Sequence, residues 1–302
     1  MSVATDAART TTAAALSTGR RRDRNPASLI FLGALWFSLF FGVMVLVVLI
    51  LDTAFEGSPR FDAALLTKHE SVIHPEQTGF RAGILGSAWL MFTTAMLAVP
   101  LGVSAALYLE EFADNTKWYN RIIELNLQNL AAVPSVIYGM LAVAVMALLG
   151  FDDKNIVLGG AIALALLILP VIIITTREAV RAVPEEIRSG SLALGATVWQ
   201  TTWRNTLPSA VPGIATGTIL GLSRAIGEAA PLLILGLATV RFDPAGFTSV
   251  VTALPMQIFN LTSQSQEAYK IAASAAIIVL LTMILSMNAI AIVIRNKFQR
   301  SW

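Results

Sequence analysis

The sequence predicts an all-α integral membrane protein, and three observations predict it. Of 302 residues, 56% are hydrophobic and only 13% charged, with a mean hydropathy of +0.71. Ordinary soluble domains are about 45–50% apolar and about 25% charged. The apolar residues gather into runs of about 20, the length a helix needs to cross the hydrocarbon core. The basic residues between those runs fall mostly on one side. The sequence has no cysteine, which excludes disulfides, thiolate metal sites and cysteine nucleophiles.

Residues 1–27 are rich in Ala, Thr, Ser and Arg without periodicity. They read as a disordered tail ahead of one membrane domain, residues 28–302. The tail holds Arg20, Arg21, Arg22 and Arg24. Beside a span, such a cluster sets orientation more often than it binds nucleic acid, so no nucleic-acid partner is expected. The first span is residues 29–51. A signal peptide would have an apolar core of about 7–15 residues and a small-residue cleavage site, so this longer run reads as an uncleaved helix. Residues 52–81 are polar and hold His69 and His74 near Glu70 and Glu76. No metal-ligand spacing is matched, so a solvated loop is expected and no metal.

Three further runs follow at 84–109, 127–149 and 156–175, with Pro100, Pro134 and Pro170 inside them. Proline removes a helical hydrogen bond and kinks the helix. Kinked spans need neighbours to satisfy the freed groups, which argues for a packed bundle. The fifth run is 211–237 and the last is 271–294. Between them, residues 247–261 are apolar enough to lie on or dip into the membrane but too short to cross it. Six spans put both termini on one side. With the N-terminus inside, Arg60, Lys68, Arg81, Lys154, Arg241 and Lys270 are outside and Arg224 is within the membrane; the rest of the 21 Lys and Arg are cytoplasmic. The bias favours both ends inside and makes residues 177–208 a cytoplasmic segment.

That segment reads as helix, glycine turn, helix. Pro184 starts the first helix, where its missing N–H costs nothing. Glu185 and Glu186 suit the positive end of its dipole. Gly195 ends it in a left-handed conformation. A second helix runs from Thr197 with Trp199 and Trp203 on one face, and Leu207-Pro208 closes it. Amphipathicity allows two readings equally: a knob gripped by another protein, or a segment lying on lipid with its tryptophans at the interface.

The fifth run carries two charges, Arg224 and Glu228. A charge at the centre of a membrane helix costs about 2.5–3.5 kcal/mol on insertion scales and marks a pathway or a buried partner. Gly213, Gly217 and Gly221 recur every four residues, a spacing that lets helix backbones approach. At about 100° per residue, Arg224, Glu228 and Pro231 share their side. Two roles compete for the pair. It neutralises itself and locks the bundle, or Arg224 offers a fork of donors to a passing anion while Glu228 tunes it.

The cytoplasmic segment resembles the signature of ABC importer permeases: Glu-Ala-Ala, three residues, Gly, nine residues, an apolar residue, any residue, Leu-Pro. Here Gly195 is followed after nine residues by Asn205, Thr206, Leu207 and Pro208, and the surrounding Leu194, Ala196, Trp199 and Gln200 are similar to that family. The Glu-Ala-Ala positions hold Ser189, Gly190 and Ser191, and the apolar position holds Asn205. The run from Ser223 to Leu233, with Arg224, Gly227, Glu228 and Pro231, resembles the PstA type of permease from ABC phosphate importers, as does the run from Ala253 to Asn260. The resemblance extends from about Gly79 to the C-terminus. It implies a six-span, MetI-like type I importer permease for inorganic phosphate in a bacterial plasma membrane. It implies as partners a second permease of the PstC type, a PstB-type ATPase dimer holding ATP and Mg, and an outer PstS-type phosphate-binding protein. The knob, residues 185–208, would dock on the ATPase.

No Gly-x-x-x-x-Gly-Lys-Ser/Thr loop occurs, so this chain is expected to bind no cofactor and hydrolyse no ATP. No metalloprotease or nucleophile-elbow motif occurs either. A secondary anion transporter would show repeated halves and broken helices at a midplane site, and the Arg224 run has no clear counterpart elsewhere. Charge and hydrogen bonding alone do not separate phosphate from sulfate or molybdate.

Overall fold

In hydrocarbon, a helix satisfies its own backbone, so apolar runs of this length fold as helices. The computed structural model describes residues 26–71, 74–114 and 117–298. Among them it is helical, with one isolated antiparallel bridge between Ile156 and Val250. The expected tail with its arginine cluster, and Arg300, lie outside the described residues. The chain divides into residues 1–52 and 53–302. The described part of the first unit is most of helix α1 (Pro26–Gly57). Its side chains are exposed on all sides from 26 to 52, except the half-buried Ile50.

The second unit contains α2 (Ala63–Thr67), α3 (Arg81–Leu107), α4 (Trp118–Ala131), α5 (Ser135–Leu148), α6 (Val157–Arg181) and α7 (Glu185–Ala193). It continues with α8 (Val198–Thr201), α9 (Leu207–Ile226), α10 (Ala230–Ile234), α11 (Leu254–Thr262) and α12 (Glu267–Phe298). Helix α6 is the centre, touching α3, α4, α5, α9 and α10. Leu164, Ile168 and Ile172 of α6 share a core with Leu90 and Ala98 of α3 and Ala225 of α9. Helix α9 lies on α6 through its glycines. A Cβ on Gly213 would stand 2.6 Å from that of Ala179, one on Gly217 would collide with Thr175, and one on Gly221 would meet Ile172 at 3.5 Å. The four-residue glycine spacing therefore sets a close helix–helix seam.

Helices α1, α3, α6 and α12 are each long and apolar enough to cross a membrane, and α4 with α5 qualifies as a bent pair. Helix α9, 20 residues long, would reach about 30 Å. Several expected outlines are corrected. The third run is two helices meeting at 113°. Pro134 stands at the N-cap of α5 rather than inside a span, because proline disfavours helix in the residue before it. Tyr138 ties the two arms by donating to the Leu130 carbonyl at 2.6 Å. The fifth run is also broken: α9 ends at Ile226, and α10 starts at Ala230. Leu207-Pro208 does not close the preceding helix. Helix α8, a π-helical stretch Thr202–Thr206 and α9 follow without interruption. The wider π turn accommodates Pro208, which has no N–H and crowds the preceding turn.

Residues 251–257, the centre of the apolar segment 247–261, are buried within the bundle, while Phe247, Thr248 and Phe259 are exposed. Val157 donates to the Ser249 carbonyl at 3.0 Å and Val251 to that of Asn155 at 3.1 Å. Helix α11 buries Leu254, Met256, Gln257 and Leu261. A Cβ on Gly83 or Gly86 of α3 would strike Gln257 or the Thr252 carbonyl. Nor is the segment 52–81 a solvated loop throughout. Arg60 is buried and donates to the carbonyls of Pro75 and Thr78, both at 2.6 Å. Leu65 and Phe80 join Leu254, Leu261 and Tyr269 in a second core. Asp243 bridges His69 at 3.1 Å and Arg81 at 2.8 Å. The Arg81 hydrogen bond, with His69 beyond it, holds the Asp243 carboxyl below its ordinary value. Glu70 is 7% exposed. Burial pushes its carboxyl up, against the opposing pull of Thr239, Gln257 and Arg241.

Two outcomes are expected. Gly217→Val forces α9 off Thr175 and destabilises the protein by about 1–3 kcal/mol, while Gly221→Ala, in ordinary contact, is tolerated; thermal unfolding in detergent reads both. A raised folded-state value for Glu70 makes its contribution greatest below the unfolded carboxyl range and lost as pH rises through the folded value. Glu70→Gln therefore raises the melting temperature at pH 8 relative to wild type, and the difference closes towards pH 4.

Candidate translocation and coupling site

The knob is built by local rules. Pro184 takes the N-cap of α7, with Glu185 and Glu186 in the first turn. The helix ends at Gly195, whose φ of +86° is left-handed and suits glycine. Thr197 caps α8 in a capping box with Gln200. The Trp199 and Trp203 rings lie 5.4 Å apart at a tilt of 58°, and Phe112 approaches Trp199 at 6.0 Å. Leu194, 91% exposed, projects at the turn. Ser189 is exposed, and a Cβ on Gly190 would meet open space. Beside them lies a cavity of about 420 Å³ lined by Ile187, Gly190, Ser191, Leu194, Arg204 and Asn205. Leu207 packs from the other side against Val180, Val183 and Ala210.

The two polar departures from the importer signature are one event. Asn205 donates to the Ser191 hydroxyl at 2.9 Å, and that hydroxyl lies 2.9 Å from Thr201 Oγ1. A hydrogen-bonded trio thus joins α7 to the helix behind it where the signature has apolar side chains.

Acidic residues that sequence reasoning passed over anchor this end of the bundle. A π-helical stretch, Tyr108–Phe112, terminates α3 and presents Glu110 and Glu111. Glu110 accepts from Arg177 at 3.1 Å and Arg181 at 2.6 Å, both on α6. Arg177 also donates to Glu124 of α4 at 3.0 Å. Arg188 of α7 donates to Glu111 at 3.1 Å. Arg177 and Glu110 are largely buried, and removing one partner of such a pair costs about 3–5 kcal/mol. The available signal was an acidic pair, Glu110-Glu111, ending an apolar run, and three arginines, Arg177, Arg181 and Arg188, in residues 177–188.

Arg224 stands in the last turn of α9, where a cation suits the negative end of the helix dipole. Gly221 is level with Ile172 of α6, and Arg224 lies about 4.5 Å further along, near mid-height of α6. One expectation about it is corrected. The buried stripe of Gly217 and Gly221 continues to Ala225, not Arg224, so the charge points off the glycine seam. Glu228 lies beyond the helix end and, as the i,i+4 spacing predicts, forms an ion pair with Arg224, Oε1 to Nε 3.8 Å, without a hydrogen bond. The Arg224 side chain is 47% exposed. Along the same helix, Ser223 donates to Asn288 and Thr216 accepts from Arg295 at 3.0 Å, forming a polar seam with α12. Nothing in the sequence pairs these positions.

The all-helical bundle with its projecting knob is that of an ABC importer permease. The chain belongs to the family of binding-protein-dependent transport system inner membrane components, whose model matches residues 98–300. It is a multi-pass membrane protein. It is similar to the phosphate transport system permease protein PstA of Yersinia pestis, with 29% identity over 92% of each chain. It is also similar to phosphate transport system permease protein PstA 1 of Mycobacterium tuberculosis (strain CDC 1551 / Oshkosh), with 33% identity over 73% of this chain and 72% of that one. Among solved structures, it shares its fold with a bacterial ABC transporter involved in the import of the acidic polysaccharide alginate. That match has a TM-score of 0.61 at 17% identity, covering 94% of this chain and 99% of the other.

The Ser191–Asn205 pair yields a double-mutant expectation. Asn205→Leu alone takes one of its two partners from the Ser191 hydroxyl, which keeps Thr201, whereas Asn205→Leu with Ser191→Ala removes the link as a whole. Their thermal-unfolding effects are expected to be non-additive by about 0.5–1.5 kcal/mol; additive effects would remove the link.

Proposed function

We propose that this chain is a permease subunit importing inorganic phosphate, with Arg224 on the anion's path. The observation that carries the reading is the state of Arg224: at mid-height of the bundle, half-exposed, and 3.8 Å from Glu228. At that separation its donors are not consumed by the carboxylate, and a guanidinium fork suits a tetrahedral oxyanion. Glu228 lowers the local positive potential, which favours release over trapping. The names of the PstA relatives from Yersinia pestis and Mycobacterium tuberculosis support phosphate as the anion.

The path is completed by a second permease of the PstC type, and a PstS-type protein delivers phosphate from outside. A PstB-type ATPase dimer binds ATP and Mg on the cytoplasmic side; this chain holds no cofactor and performs no hydrolysis. Both termini are cytoplasmic, as the Lys and Arg bias favours. The knob formed by Glu185, Glu186, Ser189, Gly190, Ser191, Leu194, Gly195, Ala196, Leu207 and Pro208 meets the ATPase, with Leu194 as its exposed apolar tip. Closure of the ATPase moves the knob, and α9, continuous with it through the π turn, carries the motion to Arg224.

Arg224→Gln in the complete complex is expected to keep membrane levels and ATPase co-purification while lowering radiolabelled phosphate uptake by about tenfold or more, equivalent to 1.4 kcal/mol. Arg224→Lys keeps the charge without the fork and falls between. Normal uptake by Arg224→Gln would remove Arg224 from the path. Wild-type uptake that sulfate or molybdate suppresses as well as phosphate does would remove phosphate as the substrate.

A further inference from the structure

Helix α7 is attached to the bundle in an unusual way for a part that must transmit force. None of its residues is fully buried, and its apolar packing rests on Ile187, partly buried against the core of Val180, Val183 and Ala210. Ala182, Val183 and Pro184 join it to α6 as a short turn, which alone would let α7 swing. Ser191 ties α7 to the helix behind it, and Arg188 opposes the swing relative to α6 and α3. Arg188 Nη2 donates to the Val180 carbonyl at 2.6 Å and Nη1 to the Val183 carbonyl at 3.0 Å. Val180 is in the last turn of α6, where its carbonyl also accepts from the Val183 N–H at 3.1 Å, and Val183 lies in the turn that follows. Arg188 Nε donates to Glu111 on the π-helical end of α3 at 3.1 Å. Nη1 also reaches Glu185 of α7 itself at 3.3 Å. The Arg188 and Glu111 side chains are 15% and 8% exposed, respectively. Charge-assisted hydrogen bonds to a planar fork are both strong and directional.

The same π turn divides the work. Glu110 binds the arginines of α6, and the next residue, Glu111, binds the arginine of α7. Consecutive carboxylates therefore tie the end of α3 separately to a span and to the knob.

We propose that Arg188 is a positioning residue, a strut that makes α7 move as one body with the ends of α3 and α6, and so sets how much transport each ATP yields. The proposal rests on the coupling role given to α7 above. Without the strut, the ATPase would still grip the knob and cycle, but the turn at 182–184 would absorb the displacement. A brace needed only for folding would instead lower assembly, leaving the yield per ATP in assembled complexes unchanged.

The test uses the complete complex, reconstituted in vesicles, with ATP hydrolysed and phosphate imported measured together. Arg188→Gln and Glu111→Gln are expected to assemble, to hydrolyse ATP near the wild-type rate, and to import about fivefold less phosphate per ATP or lower, the scale of a site-to-site coupling energy. Arg188→Glu is expected to be worse. Adding Glu111→Arg to it is expected to recover part of the loss, because the ion pair is restored although the carbonyl contacts are not. An unchanged yield per ATP in both glutamine variants overturns the strut, and so does failure of both to assemble. Failure of the wild-type complex to import phosphate counts against the proposed function alone; the yield is then read with the anion that complex does import.

Discussion

The close approach of α9 to α6 is the contact on which the rest of the bundle depends. Three glycines at four-residue spacing let the backbone of α9 rest on Ala179, Thr175 and Ile172, with no side chain of its own between them. In a membrane, water does not drive helices together, so small residues and the dispersion contacts they permit carry that association. The seam fixes the height of Arg224 relative to α6. It also fixes where the chain between α6 and α9 emerges, and that chain is the knob. A side chain in the seam would disturb both the charged position and the coupling segment, although neither contains the substituted residue.

The two π-helical stretches give this arrangement its geometry. One, Thr202–Thr206, lets the helix pass Pro208 and remain continuous, so α8 and α9 form a single rod from the capping box at Thr197 to Arg224. The other, Tyr108–Phe112, aims Glu110 and Glu111 at different arginines. A regular α-helix would have been interrupted by the proline in the first case. In both cases the local widening of the helix appears where an element has to serve two neighbours, which is where such turns are commonly found.

Arg177, Arg181 and Arg188 at the knob end are hydrogen-bonded to carboxylates, whereas Arg224 at mid-height has a longer ion pair with Glu228. Close carboxylate partners suit groups partly withdrawn from water. Arg224 is held by the end of its helix, with Glu228 near but not hydrogen-bonded. That contrast separates a tight hydrogen-bonded network from a half-exposed cation with a longer ion pair.

The sequence by itself determined the class, the position of the knob and the residues of the glycine seam. Those signals are local: hydropathy over one span, a glycine that must turn left-handed, a four-residue repeat on one helix, and the spacing from Gly195 to Pro208. Tertiary structure decided what those features meet. Ser191 and Asn205 are separate departures along the chain and become one bonded unit only when α7 folds against the helix behind it. Glu111 and Arg188 are 77 residues apart, and no local pattern pairs them. The 211–237 run reads as one apolar helix, since nothing in its hydropathy marks where it breaks; the end at Ile226 came only with the structure. Local periodicity specifies elements and faces, whereas the partners of a charge depend on contacts between residues that the sequence keeps far apart.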